Sequence, residues 1–166
     1  RRLVASGAIG VPLTALAMFQ VSGPESWHPS PEFLYARGGG PLFDMGPYYL
    51  AWLVELVGPV TRVVARGSRS HAERVIGSGP RAGTRFPVEV PTHVAGLLEF
   101  SDGASAQVVF SFQSALARSG VLELTGTDGA LVLPDPNTFD GSGTLWRAGS
   151  ADGETIVPQG SLLSRG

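Results

Sequence analysis

Two alternating apolar runs, residues 92–100 and 104–115, stand on either side of Ser101-Asp102-Gly103. No other stretch restricts the fold as much. Alternation with a period of two is the mark of a strand whose faces meet different surroundings. A two-residue turn at Asp102-Gly103 would pair Phe100 with Ser105 and Leu98 with Gln107, setting apolar against polar. A three-residue connection with Gly103 left-handed pairs Phe100 with Ala104 and Leu98 with Ala106 instead. Leu98, Phe100, Ala106, Val108, Phe110 and Phe112 then make one apolar face. His93, Glu99, Ser105, Gln107, Ser111 and Gln113 make the other. A slip of one residue would invert a strand's faces, so the second pairing is the expected one.

An apolar sheet face needs a cover. Residues 48–57 supply it as a helix with Glu55 as its only charge, stopped by Gly58-Pro59. A helix so apolar is expected to be covered on more than one side. Ahead of it runs Gly38-Gly39-Gly40-Pro41-Leu42-Phe43-Asp44-Met45-Gly46-Pro47. The three glycines permit a sharp turn and a close approach by another molecule, at Gly39 and Gly40 in particular. Pro47 suits a first helical turn, and Asp44 then reads as an N-cap or as a carboxylate held just before the helix.

The rest of the chain reads as strands and loops. Residues 11–21 form a strand with Leu13, Ala15, Ala17, Phe19 and Val21 on one face and Leu16 and Met18 on the other. Residues 23–37 hold three prolines and no periodicity, which predicts a loop with a short helical turn at 31–34. Such long loops are often functional. Residues 60–66 form a second strand. Residues 71–85 are polar and read as a strand extension followed by a mobile loop. A hairpin at 120–125 and 130–133 and short outer strands at 144–148 and 155–157 complete the pattern. The expected class is α+β: an open, mainly antiparallel sheet with helices packed on one face.

With 166 residues and 43% hydrophobic content, the chain fits a single domain able to bury roughly 70% of its unfolded surface. Its net charge of −2, without a charge block, points to neither nucleic acid nor an anionic membrane as partner. No apolar run reaches bilayer length. There is no cysteine and no leader pattern, so a cytoplasmic location is expected. No His, Asp and Glu set has metal-ligand spacing, and no Gly-x-Ser-x-Gly elbow supports a nucleophilic serine. The opening Arg1-Arg2-Leu3-Val4-Ala5-Ser6-Gly7 reads as the last turn of a helix ending near Gly7. The close Leu162-Leu163-Ser164-Arg165-Gly166 reads as an arbitrary break. Both suggest a piece of a longer chain.

The glycine-rich turn with Asp44, Gly46 and Tyr48 resembles the Gfo/Idh/MocA oxidoreductases. That family carries Asp-x-Gly-x-His at the head of a long helix in its second domain. Tyr48 stands where the family usually has histidine. The longer string of Trp27-His28-Pro29-Ser30-Pro31-Glu32-Phe33, then Gly40-Pro41-Leu42-Phe43-Asp44-Met45-Gly46-Pro47-Tyr48-Tyr49, resembles a bacterial subgroup in which tyrosine is usual. The resemblance covers nearly the whole chain. It implies the second-domain plan of glyceraldehyde-3-phosphate-dehydrogenase-like proteins, with the free sheet face used for subunit contact in a homo-oligomer. It also implies a preceding Rossmann domain that holds NAD or NADP and supplies a lysine from a Glu-Lys-Pro motif. Neither that motif nor Gly-x-Gly-x-x-Gly after a strand occurs here, so this piece alone is expected to bind no dinucleotide.

The resemblance places Asp44 in a pocket for a sugar, cyclitol or related polyol, bound to a substrate hydroxyl or supporting the proton-transfer residue. Oxidising a secondary alcohol requires a base at hydrogen-bond distance from the hydroxyl. Histidine, with a reference pKa of about 6.5, suits that task better than tyrosine at about 10. Tyr48 is therefore either catalytic or positional. Tyr49 is core or pocket wall. Trp27 offers a face for a sugar ring or pins its own loop, and His28 is a candidate to replace the family histidine. Arg37 either binds an anionic group or is solvated. His71 and His93 are read as non-catalytic. A second function stands beside the enzyme reading: a non-catalytic binding or scaffold module of the same fold.

Overall fold

The computed structural model describes residues 1–138 and 141–157. The closing Leu162-Leu163-Ser164-Arg165-Gly166 lies outside the described residues. A short helix α1 (Arg2–Ala5) leads into strand β1 (Pro12–Gln20), and then come two 3₁₀ turns (Pro24–Ser26 and Glu32–Leu34). The long helix α2 (Pro41–Val57) follows, and after it strands β2 (Val60–Ser68), β3 (Glu73–Val75), β4 (Arg85–Pro87) and β5 (His93–Phe100). Then come β6 (Ser105–Ser111), β7 (Arg118–Gly126), β8 (Gly129–Val132), β9 (Gly143–Arg147) and β10 (Glu154–Ile156). Eight strands form one sheet in the order β10-β9-β8-β7-β1-β6-β5-β2, and β3 with β4 forms a separate ribbon. Among the described residues only the β1–β6 pairing is parallel. The class is α+β as expected.

The β5–β6 hairpin has the expected register. Leu98 faces Ala106 and Glu99 faces Ser105. Phe100 N–H donates to the Ala104 carbonyl at 2.9 Å, with Gly103 at φ 87. All six residues of the apolar face are buried. Helix α2 lies across β1, β6 and β5. It presses Met45, Tyr49, Leu53, Leu56 and Val57 onto them. Ala15, Ala17, Ala104 and Ala106 beneath it are small enough to let the helix sit close. Phe19 meets Tyr49 and Phe112 edge-on, each at 6.5 Å. It thereby joins this core to a second cluster of Leu34, Tyr35, Ile76, Phe86, Val88 and Phe112.

Three expectations are corrected. Helix α2 starts at Pro41, and Pro47 lies inside it. The proline that suits the first turn is therefore Pro41, while Pro47 removes a later backbone donor. The N-cap is Gly40 at φ 92, so Asp44 belongs to the first turn and its backbone N–H donates to the Gly40 carbonyl at 3.0 Å. Residues 71–85 do not extend a strand of the main sheet: strand β3 pairs with β4 in a separate ribbon, with a connection at 76–84. They form most of the β3–β4 ribbon, anchored by buried Ile76 and Phe86. The outer sheet face is also less polar than the hairpin alone suggests. Its rows bring Leu16, Met18, Val64, Leu97, Val109 and Val121 among the Ser, Gln and Glu residues.

Candidate functional site

A helix turns by about 100° per residue, so residues four apart share a face. On α2 this sorts neighbours sharply. Tyr49 points into the core with no exposure. Its hydroxyl accepts the Gly120 N–H at 2.9 Å and donates to Asp135 Oδ1 at 3.5 Å. Burial, aided by the Asp135 carboxylate and opposed by the Gly120 donor, pushes its phenol up to about 12. Of the two places open to Tyr49, the structure assigns the core.

Asp44 and Tyr48, one turn apart, are both exposed. Partial desolvation raises the Asp44 carboxyl above its ordinary range. The same side of the helix carries Phe43 at 68% exposure, Pro47, Ala51, Trp52 at 36% and Val54 at 47%. The carboxylate and the phenol thus stand on a helix face that is apolar yet bare in this chain.

The glycine turn works differently from the expectation. A side chain at Gly39 would come within 2.5 Å of the Phe33 carbonyl, and one at Gly40 within 3.0 Å of the Pro91 carbonyl. The close approach made there is by the chain's own backbone. Gly38, at φ 89, faces open space instead. A hollow of about 110 Å³ is lined by Gly38, Gly40, Leu42, Phe43, Val90 and Val94. A larger one, about 380 Å³, lies at the other end of α2 among Arg1, Leu3, Trp52, Leu131, Leu133 and Ile156. Neither is lined by Asp44 or Tyr48.

The loop before the glycines displays Trp27 at 67% exposure and Phe33 at 60%. Half-buried His28 meets both rings edge-on at 5.4 Å. Sequence reasoning picked out Trp27 and His28 and missed Phe33, whose only signal is its place in the same loop. Arg37 is exposed, and its backbone N–H donates to Glu89 Oε2 at 3.3 Å. His71 accepts or donates at Ser70 Oγ, 2.6 Å away, and His93 lies on the outer sheet face. Among the described residues no group of three or more His, Asp or Glu side chains comes together.

An open sheet crossed on one face by a single long helix defines the α+β domain type of glyceraldehyde-3-phosphate-dehydrogenase-like C-terminal halves. The profile of the GFO/IDH/MocA C-terminal domain matches residues 1–132, and the chain belongs to that family. No curated protein matches it. Among solved structures, an NAD binding oxidoreductase from Klebsiella pneumoniae is 24% identical, with 93% of this chain and 41% of that one covered at a TM-score of 0.73. Levoglucosan dehydrogenase in complex with NADH and L-sorbose is 22% identical over 95% of this chain and 43% of its own, also at 0.73. An oxidoreductase from Agrobacterium radiobacter in complex with NAD+, L-tartaric acid and magnesium is 20% identical over 95% and 42%, at 0.62. These likenesses speak to the fold. The chain spans less than half the length of each. No helix among the described residues is long and apolar enough to cross a membrane.

Proposed function

We propose that this domain is the substrate-binding and subunit-contact half of an NAD(P)-dependent oxidoreductase of the cytoplasm, acting on a sugar, cyclitol or related polyol. The observation that carries the reading is the pairing of Asp44 and Tyr48, a turn apart on the exposed apolar side of α2, in a chain of this family. Levoglucosan dehydrogenase among the structural neighbours supports the substrate class.

Gly39 and Gly40 abut their own backbone, and no Gly-x-Gly-x-x-Gly is present. The nucleotide belongs to a preceding Rossmann domain, which also covers Phe43, Pro47, Trp52 and Val54. This domain's own task is to hold the alcohol and handle its hydroxyl proton. Asp44, a carboxylate with a raised pKa, accepts a hydrogen bond from the substrate hydroxyl. Tyr48 on the same face relays or donates a proton at that oxygen. The outer sheet face, with Leu97 at 41% and Val64 at 58% exposure, meets a second copy.

In the full-length protein, a screen of levoglucosan, myo-inositol and glucose with NAD and NADP tests the reading. Turnover that falls on Asp44→Ala while nucleotide affinity holds supports it, and unchanged turnover removes Asp44 from the mechanism. The scaffold-module alternative is favoured by one observation, the tyrosine in the family's histidine position, and it requires that none of these polyols turns over.

A further inference from the structure

The loop of residues 23–37 is held from behind and bare in front. Glu25, just before Trp27, is gripped by Arg74 of β3 at 2.5 Å, with both side chains only 12–13% exposed. The Tyr35 hydroxyl donates to the same carboxylate. Arg74 also donates to the Ser22 carbonyl at 3.2 Å and the Phe112 carbonyl at 3.1 Å, and it lies 5.7 Å from the centre of the Tyr35 ring. At the other end Glu32, just before Phe33, pairs with Arg81 of the β3–β4 connection. A backbone hydrogen bond at Glu32 itself, and to a lesser extent Arg81, hold that carboxyl below its usual range. Between the two pairs, Gly77 N–H donates to the Glu25 carbonyl at 2.7 Å. A side chain at Gly79 would strike Pro29 at 2.8 Å. Buried Leu34 and Tyr35 finish the anchoring. None of this fixing uses the rings of Trp27 or Phe33.

We propose that Trp27, His28 and Phe33 form a preorganised platform for the ring of a sugar or cyclitol, and that the β3–β4 ribbon is the strut holding it through Arg74 and Arg81. This deepens the polyol reading above and rests on it. Aromatic faces suit the C–H faces of such rings, and a platform on a rigid support loses little entropy when it binds. His28 adds direction. Its Nδ1 accepts the Ser30 N–H at 3.0 Å, so the neutral ring carries its proton on Nε2 and can donate to a hydroxyl. Three rings match one small cyclic ligand and fall far short of the roughly 800 Å² that a stable protein interface takes from each partner. The loop is also tied to the cap of α2, where the Gly40 N–H donates to the Leu34 carbonyl at 2.7 Å. Arg74 and Arg81 act as positioning residues, through the loop.

The test uses the full-length protein, with levoglucosan and myo-inositol as probes in saturation-transfer NMR and steady-state kinetics. Trp27→Ala and Phe33→Ala should each weaken binding and raise KM about tenfold, while kcat and nucleotide affinity hold within about twofold. Arg74→Met should raise KM in the same direction and speed hydrogen exchange across residues 23–37, with Arg74→Lys recovering part of both. Wild type that binds neither probe overturns the platform. So does a KM unmoved by Trp27→Ala and Phe33→Ala while Asp44→Ala abolishes turnover, a result that leaves the reading of Asp44 standing. Loss of thermal stability in Arg74→Met with no change in KM reduces the strut to scaffolding.

Discussion

The two sides of α2 are built from nearly the same residue types and meet opposite fates. One carries Met45, Tyr49, Leu53, Leu56 and Val57 into the core, while the other leaves Phe43, Tyr48, Trp52 and Val54 at the surface. Tyr48 and Tyr49 are adjacent, yet one is a third exposed and the other sealed with its hydroxyl bonded. Hydrophobicity alone therefore does not tell a packed side from a waiting one on this helix. A core side is recognised by satisfied polar atoms and close contact. The proposed docking side instead shows large side chains left exposed beside Asp44 and Tyr48.

The comparison breaks most readily at Leu53. It is 1% exposed in the centre of the buried side, and Leu53→Ala should lower unfolding free energy by about 3–5 kcal/mol in denaturant titration. A loss under 1 kcal/mol would mean that α2 is not the domain's main cover. On the bare side, Asp44→Ala should leave stability nearly unchanged and cut kcat of the full-length protein about a hundredfold. Equal damage to stability would make Asp44 scaffold.

Tyr49 sharpens the contrast through pH. Its folded pKa of about 12 lies above the reference value of 10.0. A proton held more tightly in the folded state stabilises it fully below pH 10, and that contribution is lost as pH rises from 10 to 12, by about 2–3 kcal/mol. Tyr35, pushed further up by burial and by the Glu25 carboxylate, adds a slope of the same sign. Tyr49→Phe should flatten part of the alkaline loss seen in melts across this range. The smallest effect belongs to the Arg1–Glu55 pair, 3.1 Å apart and mostly exposed. Glu55→Gln should change stability by less than about 0.5 kcal/mol.

Much of this was legible beforehand. The β5–β6 register followed from the need to keep Phe100, Ala106 and Phe110 on one face, a local constraint that no distant contact could override. The fold class followed from the alternating strands and the apolar helix that covers them, and the family resemblance from the glycine turn, Asp44, Gly46 and Tyr48 in order. Asp44 and Tyr48 were legible as a pair through the resemblance to Asp-x-Gly-x-His; that they share one side of α2 was not, because Asp44 read as lying ahead of the helix. The start of α2 was misread because two prolines, Pro41 and Pro47, both suit a first turn, and only the Gly40 contact with Leu34 selects between them. The ribbon at 71–87 was misread because its polar residues show no period. It is fixed by Arg74 and Arg81 reaching acids some fifty residues away, which leaves no trace in local pattern.

By itself, then, the sequence determined the period of the longer strands, the face each side chain takes in the β5–β6 hairpin and the residue types available at the head of the helix. Those depend on neighbours within a few residues, where backbone geometry dictates the outcome. The tertiary structure alone decided which side of α2 is covered, that Gly39 accommodates the chain's own carbonyls, and that Trp27 and Phe33 stand clear on a braced loop. Those depend on contacts between segments far apart in the chain, where packing and ion pairing outweigh local preference.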